Sequence, residues 1–76
     1  MEAGRRITIE PQKMGGRPCI RGLRITVGTI TGLLAAKHSR EEILGMYPYL
    51  EDEDITAALE YATSLLNDQD IPIERA

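Results

Sequence analysis

The sequence predicts a mainly α fold, with two short N-terminal strands followed by a three-helix, helix-turn-helix-like bundle. Three observations lead there. Two short extended patterns, Ile7 to Glu10 and Cys19 to Ile25, come first, apolar residues at three- and four-residue spacings begin at Val27, and Ser39-Arg40-Glu41-Glu42 forms a capping sequence between two helical runs. A chain of 76 residues has room for one domain, read as residues 1–67 with a short polar tail over 68–76.

Ile7-Thr8-Ile9-Glu10 alternates apolar and polar side chains and stops at Pro11, the pattern of a short edge strand. Lys13 to Pro18 is a turn-rich connector. Cys19 to Ile25 follows as a second extended piece, broken by Gly22 and too short to form a hairpin. Val27, Ile30, Leu33, Leu34 and Lys37 then fall at helical spacing, which predicts a first helix over Val27 to about Lys37 with Thr26 as its N-cap. Gly28 and Gly32 weaken that helix slightly, although small residues also admit a close neighbour.

The second helix opens on the Ser39/Glu42 capping box, presents Ile43, Leu44 and Tyr47 to the core, and ends at Pro48. Two or three residues separate it from the first helix, so the pair is an αα-hairpin or a helix-turn-helix. Glu51 to Asp54 load the first turn of a third helix with acid, which the helix dipole favours. Ile55, Ala58, Leu59, Ala62, Leu65 and Leu66 form its buried stripe, and it should run to about Asn67.

Domains this small bury only about 60% of their unfolded surface and need help from disulfides, metal or self-association. Cys19 is the single cysteine, so no disulfide can form within the chain; with His38 as the only other soft ligand a zinc site is not expected, and a homodimer is. The Ile7 to Ile9 edge is the dimer contact the sequence favours. A polar N-terminus and the absence of a long apolar run predict a cytoplasmic chain with no membrane segment.

The net charge of -3 conceals two unlike halves. Met1 to Arg40 carries a balance of +6, and Glu41 to Ala76 one of -9. Phosphate contacts therefore belong to the first half, unless the two halves simply attract each other within the fold. No enzyme is expected. Cys19 and His38 are the only nucleophile–base pair, nothing places them together, and Cys19 reads as a buried structural thiol. The acids at the start of the third helix are explained by capping and solvation, and Gly15-Gly16-Arg17 lacks the lysine and hydroxyl of a phosphate loop. No cofactor, metal or small-molecule substrate is implied.

Arg17, Arg21 and Arg24 cluster ahead of the first helix, while Lys37 and Arg40 flank the turn after it. These five are the nucleic-acid candidates, because arginine forks suit phosphates. The competing reading pairs Arg21 and Arg24 with the acidic third helix.

Four motifs in order carry a family resemblance: Gly16-Arg17-Pro18-Cys19-Ile20-Arg21-Gly22-Leu23-Arg24-Ile25-Thr26-Val27, Ser39-x-x-Glu42-Ile43-Leu44, Tyr47-Pro48-x-Leu50, and Asp54-Ile55-x-Ala57-Ala58-Leu59-x-Tyr61-Ala62. Together they closely resemble the bacterial and archaeal family called domain of unknown function 433, from about Ile7 to Ala62. The resemblance implies a small helix-turn-helix-like protein and an antitoxin of a type II toxin-antitoxin module. Such a protein would bind and neutralise a PIN-like ribonuclease toxin and could also bind its own operator DNA. Two departures stand out. Leu23 replaces a usual threonine, and Lys37-His38 replaces a usual glycine before the serine cap, so the left-handed turn expected there falls to His38 or is arranged differently.

Glu51 to Asp54 at the start of the third helix would repel phosphates, and Glu41 and Glu42 flank Arg40 on the second, so neither helix suits the major groove. DNA contact is therefore expected from Arg17, Arg21 and Arg24, with Lys37 and Arg40 assisting. For the protein partner, Glu51 and Asp52 with Ile71 and Ile73 of the tail are the expected contacts, since an acidic segment with alternating isoleucines suits a nuclease site lined by basic groups. The alternative is a dimeric protein-interaction module of the same shape that does not bind DNA.

Overall fold

A computed structural model of the chain describes residues 6–67, so Ile71 and Ile73 lie outside the described residues. Strands β1 (Ile7–Thr8) and β2 (Cys19–Ile20) pair antiparallel, with Ile7 opposite Ile20 and Thr8 opposite Cys19. Three helices follow: α1 (Val27–Ala35), α2 (Arg40–Met46) and α3 (Asp52–Asn67). This is the mainly α architecture expected, two short strands and a three-helix bundle.

Both strands are shorter than their sequence patterns. β1 stops at Thr8 because the Glu10 carbonyl turns away to accept the Lys13 N–H at 2.9 Å. The second extended piece does fold back on itself, contrary to the expectation that it was too short. Arg21 and Gly22 both take positive φ, 46° and 72°, and the Leu23 N–H closes the turn on the Ile20 carbonyl at 2.7 Å. Two positive φ angles in succession define a type I′ turn, the tightest reversal compatible with strand twist. It returns the chain so that Cys19 bridges Thr26 and the Ile20 N–H reaches the Ile25 carbonyl at 2.9 Å.

Thr26 caps α1 as its spacing implies: its Oγ1 accepts the Thr29 N–H at 3.1 Å. The helix ends two residues before Lys37. Lys37 takes φ 75°, its N–H bonds the Leu34 carbonyl at 2.9 Å, and the His38 N–H bonds the Leu33 carbonyl at 3.0 Å. These two bonds make a Schellman closure, with Lys37 and not His38 in the left-handed position that glycine prefers. Lys37→Gly is therefore expected to raise the unfolding free energy by about 1 kcal/mol, read as a higher urea midpoint at unchanged slope. Lys37→Asn should recover part of that gain, because asparagine also tolerates the left-handed region.

The capping box of α2 is complete. Ser39 Oγ accepts the Glu42 N–H at 3.0 Å, and Glu42 Oε1 accepts the Ser39 N–H at 2.8 Å. Ile20, Ile30, Ile43, Ile55 and Ala58 are fully enclosed, one or more from β2 and from each helix, and Ile7, Ile25, Val27, Leu50 and Ala57 complete the core. α3 lies mainly on α1 and also meets α2 and β1.

The predicted buried stripe of α3 needs correction. Ile55 and Ala58 are buried, but Leu59, Leu65 and Leu66 remain 38%, 51% and 69% exposed. Leu59, in the middle of the helix, points about 100° round from buried Ala58, and for Leu65 and Leu66 the cause is length. At 1.5 Å per residue α3 is about 24 Å long, whereas α1 and α2 reach only about 13 and 10 Å, so its last turns overhang the bundle.

Candidate interaction surfaces

Arginines of the N-terminal half converge on the start of α3. Asp54 occupies the first turn's inner side, in line with Ala58 and Tyr61 at four- and seven-residue spacing, which carries its carboxylate under the surface. Its side chain has no exposed area. Asp54 Oδ1 accepts from Arg6 Nη1 at 2.7 Å and Arg21 Nε at 3.1 Å. Oδ2 accepts from Arg21 Nη2 at 2.9 Å and from the Glu51 N–H at 2.8 Å. Arg6 also bonds Glu51 Oε1 at 2.8 Å, and Arg21 Nη2 reaches the Tyr49 carbonyl at 2.9 Å. Burial alone would push the Asp54 carboxyl up, but the Arg21 fork, the Glu51 amide and Arg6 together hold it below its ordinary value. Hydrogen bonds to Glu51 and Asp54 raise Arg6 in turn, and the Asp54 bond raises Arg21.

A second pair repeats the device at the surface. Arg40 Nε bonds Asp52 Oδ1 at 2.8 Å, while its Nη2 bonds the Asp52 carbonyl at 2.9 Å and Thr56 Oγ1 at 2.6 Å. That hydrogen bond lowers the Asp52 carboxyl and raises Arg40.

The five sequence-derived cations thus divide. Arg21 and Arg40 pair with α3, as the competing reading of the arginine cluster had it for Arg21. Arg17, Arg24 and Lys37 are exposed, and their side chains have no hydrogen-bond or ion-pair partner among the described residues. Glu51 and Asp52 are held by Arg6 and Arg40, with more than half of each side chain still in solvent. Cys19 is buried, its thiol directed to the Arg17 carbonyl at 3.3 Å, and His38 faces Glu42 at 3.5 Å, so the two are engaged separately. Among the described residues no three His, Cys, Asp or Glu side chains are grouped to hold a metal, and no helix is long and apolar enough to cross a membrane.

Two surfaces escaped the sequence reading. One is the overhanging stripe of α3. The other is a knuckle where α2 gives way to α3: Met46 is 45% and Tyr49 57% exposed. The Tyr47 ring supports Tyr49 edge-on, with centroids 6.3 Å apart and planes at 67°. Pro48 follows the end of α2 in this segment, and helical periodicity treats Tyr47 only as a candidate for the core.

Residues 7–62 match the family described as "Protein of unknown function (DUF433)", the same span the motifs delimit. Over 56 residues, 74% of this chain, it is 39% identical to the uncharacterized protein y4eO of Sinorhizobium fredii (strain NBRC 101917 / NGR234). The chain spans only 25% of that relative's length. It is also similar to the crystal structure of a DUF433 member protein from Anabaena variabilis ATCC 29413, at 33% identity and TM-score 0.79, covering 87% of this chain and 65% of that one. The chain belongs to the DUF433 family.

Proposed function

We propose that this DUF433 member is a protein-binding module of the antitoxin kind, which neutralises a PIN-like ribonuclease by occupying it. The observation that carries the reading is the division of the surface. Arg6, Arg21 and Arg40 are turned onto Glu51, Asp52 and Asp54, whereas Met46 and Tyr49 stay exposed. Methionine and tyrosine are enriched at the centres of protein interfaces, where apolar area and a polar tip are both useful. Glu51 and Asp52 follow directly in sequence and supply an acidic rim, which complements a nuclease site bordered by cations that hold RNA. Co-expression with the adjacent gene product tests it. Growth should be restored and the two chains should co-purify; persistent toxicity with no complex would overturn the reading.

Operator binding is the second role in this proposal, and it falls to Arg17, Arg24 and Lys37, the cations without internal partners among the described residues. Each phosphate contact releases condensed counterions, so Arg24→Ala should lower the slope of log affinity against log salt by about 1 and leave the melting temperature unchanged. Arg21→Ala should instead act through folding. An electrophoretic titration in which Arg24→Ala leaves the salt slope intact would remove Arg24 from the DNA surface.

A further inference from the structure

We propose that the exposed face of α3 is the seam of a two-fold homodimer, in which α3 packs antiparallel on α3 of a second copy. Leu59, Ala62 and Leu66 follow i, i+3, i+7 spacing and share one face, with Leu65 beside them. Their exposure is the feature that helical periodicity, on its own, does not allow: the pattern is that of a buried stripe, and among the described residues no element covers it.

Three features select a second copy as the occupant. The spacing of Leu59 and Leu65 is symmetric about Ala62, so a two-fold axis there sets Leu59 of one copy against Leu65 of the other and brings small side chains together at the centre. An isologous contact requires this self-complementarity. Between Ile55 and Asn67 the only charged residue is Glu60, which helical geometry places well away from the stripe, so two copies meet without like charges opposed. A strongly charged partner would find no counter-charge there. The area fits a weak contact. The three leucines leave roughly 300 Å² of apolar surface per copy, so about 600 Å² is covered across the axis. Thr63 alone flanks the stripe, so the contact stays below the roughly 1,000 Å² where stable specific interfaces begin, as a weak dimer requires. The β1 edge, favoured by the sequence for self-pairing, offers only two residues.

The seam is independent of the antitoxin reading and is tested on the isolated full chain. Sedimentation equilibrium from roughly 5 to 500 µM should show a dimer with a dissociation constant in the micromolar range. Leu66→Asp should be monomeric throughout that range while keeping its helical signal, since Leu66 touches little of the core. Ala62→Cys should form a disulfide between copies under mild oxidation, and Glu41→Cys, on the exposed side of α2, should not. A wild-type monomer at the highest concentration, an unchanged dimer of Leu66→Asp, or no crosslink through Ala62→Cys would each overturn the seam.

Discussion

Asp54→Ala lowers the unfolding free energy by about 3 kcal/mol, more than any other single side-chain loss at the charged seam. The carboxylate is enclosed and accepts from Arg6, Arg21 and the Glu51 amide. Its removal leaves that amide without its acceptor and two guanidinium groups facing each other. Because both arginines keep a quarter to a third of their side chains in solvent, water relieves part of the penalty, and the loss falls at the lower end of the range for breaking a buried pair. For a domain of this size the melting temperature should fall by roughly 12–24 °C. The pH dependence has a definite sign. A carboxyl held below its ordinary value of 3.8 stabilises the fold fully above that pH, and the contribution disappears as pH falls through the lower folded value. Asp54→Asn keeps the side-chain shape and should flatten this acid limb, so urea midpoints at pH 3 and pH 7 should lie closer together than in the wild type. Equal acid sensitivity in both chains would place the titrating group elsewhere.

On the proposed antitoxin role, replacing Tyr49 with Ala and Met46 with Ser together should weaken binding to the nuclease by about 100-fold, on the order of 3 kcal/mol. Aromatic anchors at an interface centre carry energy out of proportion to their number, because they bury a large rigid area with little loss of side-chain freedom. The fold should be indifferent to the change. Both side chains are exposed, and the hydrogen bond at Tyr49 uses its carbonyl, which Arg21 still finds in the variant. Thermal melts of the free chain should therefore overlay, so that any loss of affinity is assigned to the contact. A melting temperature lowered in parallel would instead make Met46 and Tyr49 part of the fold's support.

The helix starts were legible in the sequence because each is a local event: a threonine before Val27, a serine three residues before Glu42, a run of acids before Ile55. The family could be read as well, from four motifs whose span coincides with the matched residues 7–62. What the sequence concealed is set by tertiary geometry. Asp54 looks like one of four solvated acids, and only its four-residue spacing to Ala58 hints that it is buried. Leu59, Leu65 and Leu66 carry a core pattern that no neighbouring helix among the described residues covers. Lys37 takes a backbone conformation usually left to glycine, and the choice between Lys37 and His38 rests on where the Schellman bonds close. The turn at Arg21-Gly22 escaped because it brings one short extended piece back on itself, and the type of turn depends on φ angles that Arg does not announce. Of the candidate site, Arg17, Arg24 and Lys37 are placed as open cations, while Arg21 and Arg40 lie in pairs that charge counting alone cannot distinguish from a phosphate surface.

The central claim is that recognition of a protein partner rests on the Met46–Tyr49 knuckle and not on the basic residues. Calorimetric titration of the cognate nuclease with three chains, the wild type, Tyr49→Ala and the Arg17→Ala/Arg24→Ala pair, tests it most directly. The account predicts a large loss of affinity for Tyr49→Ala and near wild-type affinity for the double arginine variant. Loss in the arginine variant with Tyr49→Ala unaffected would contradict it.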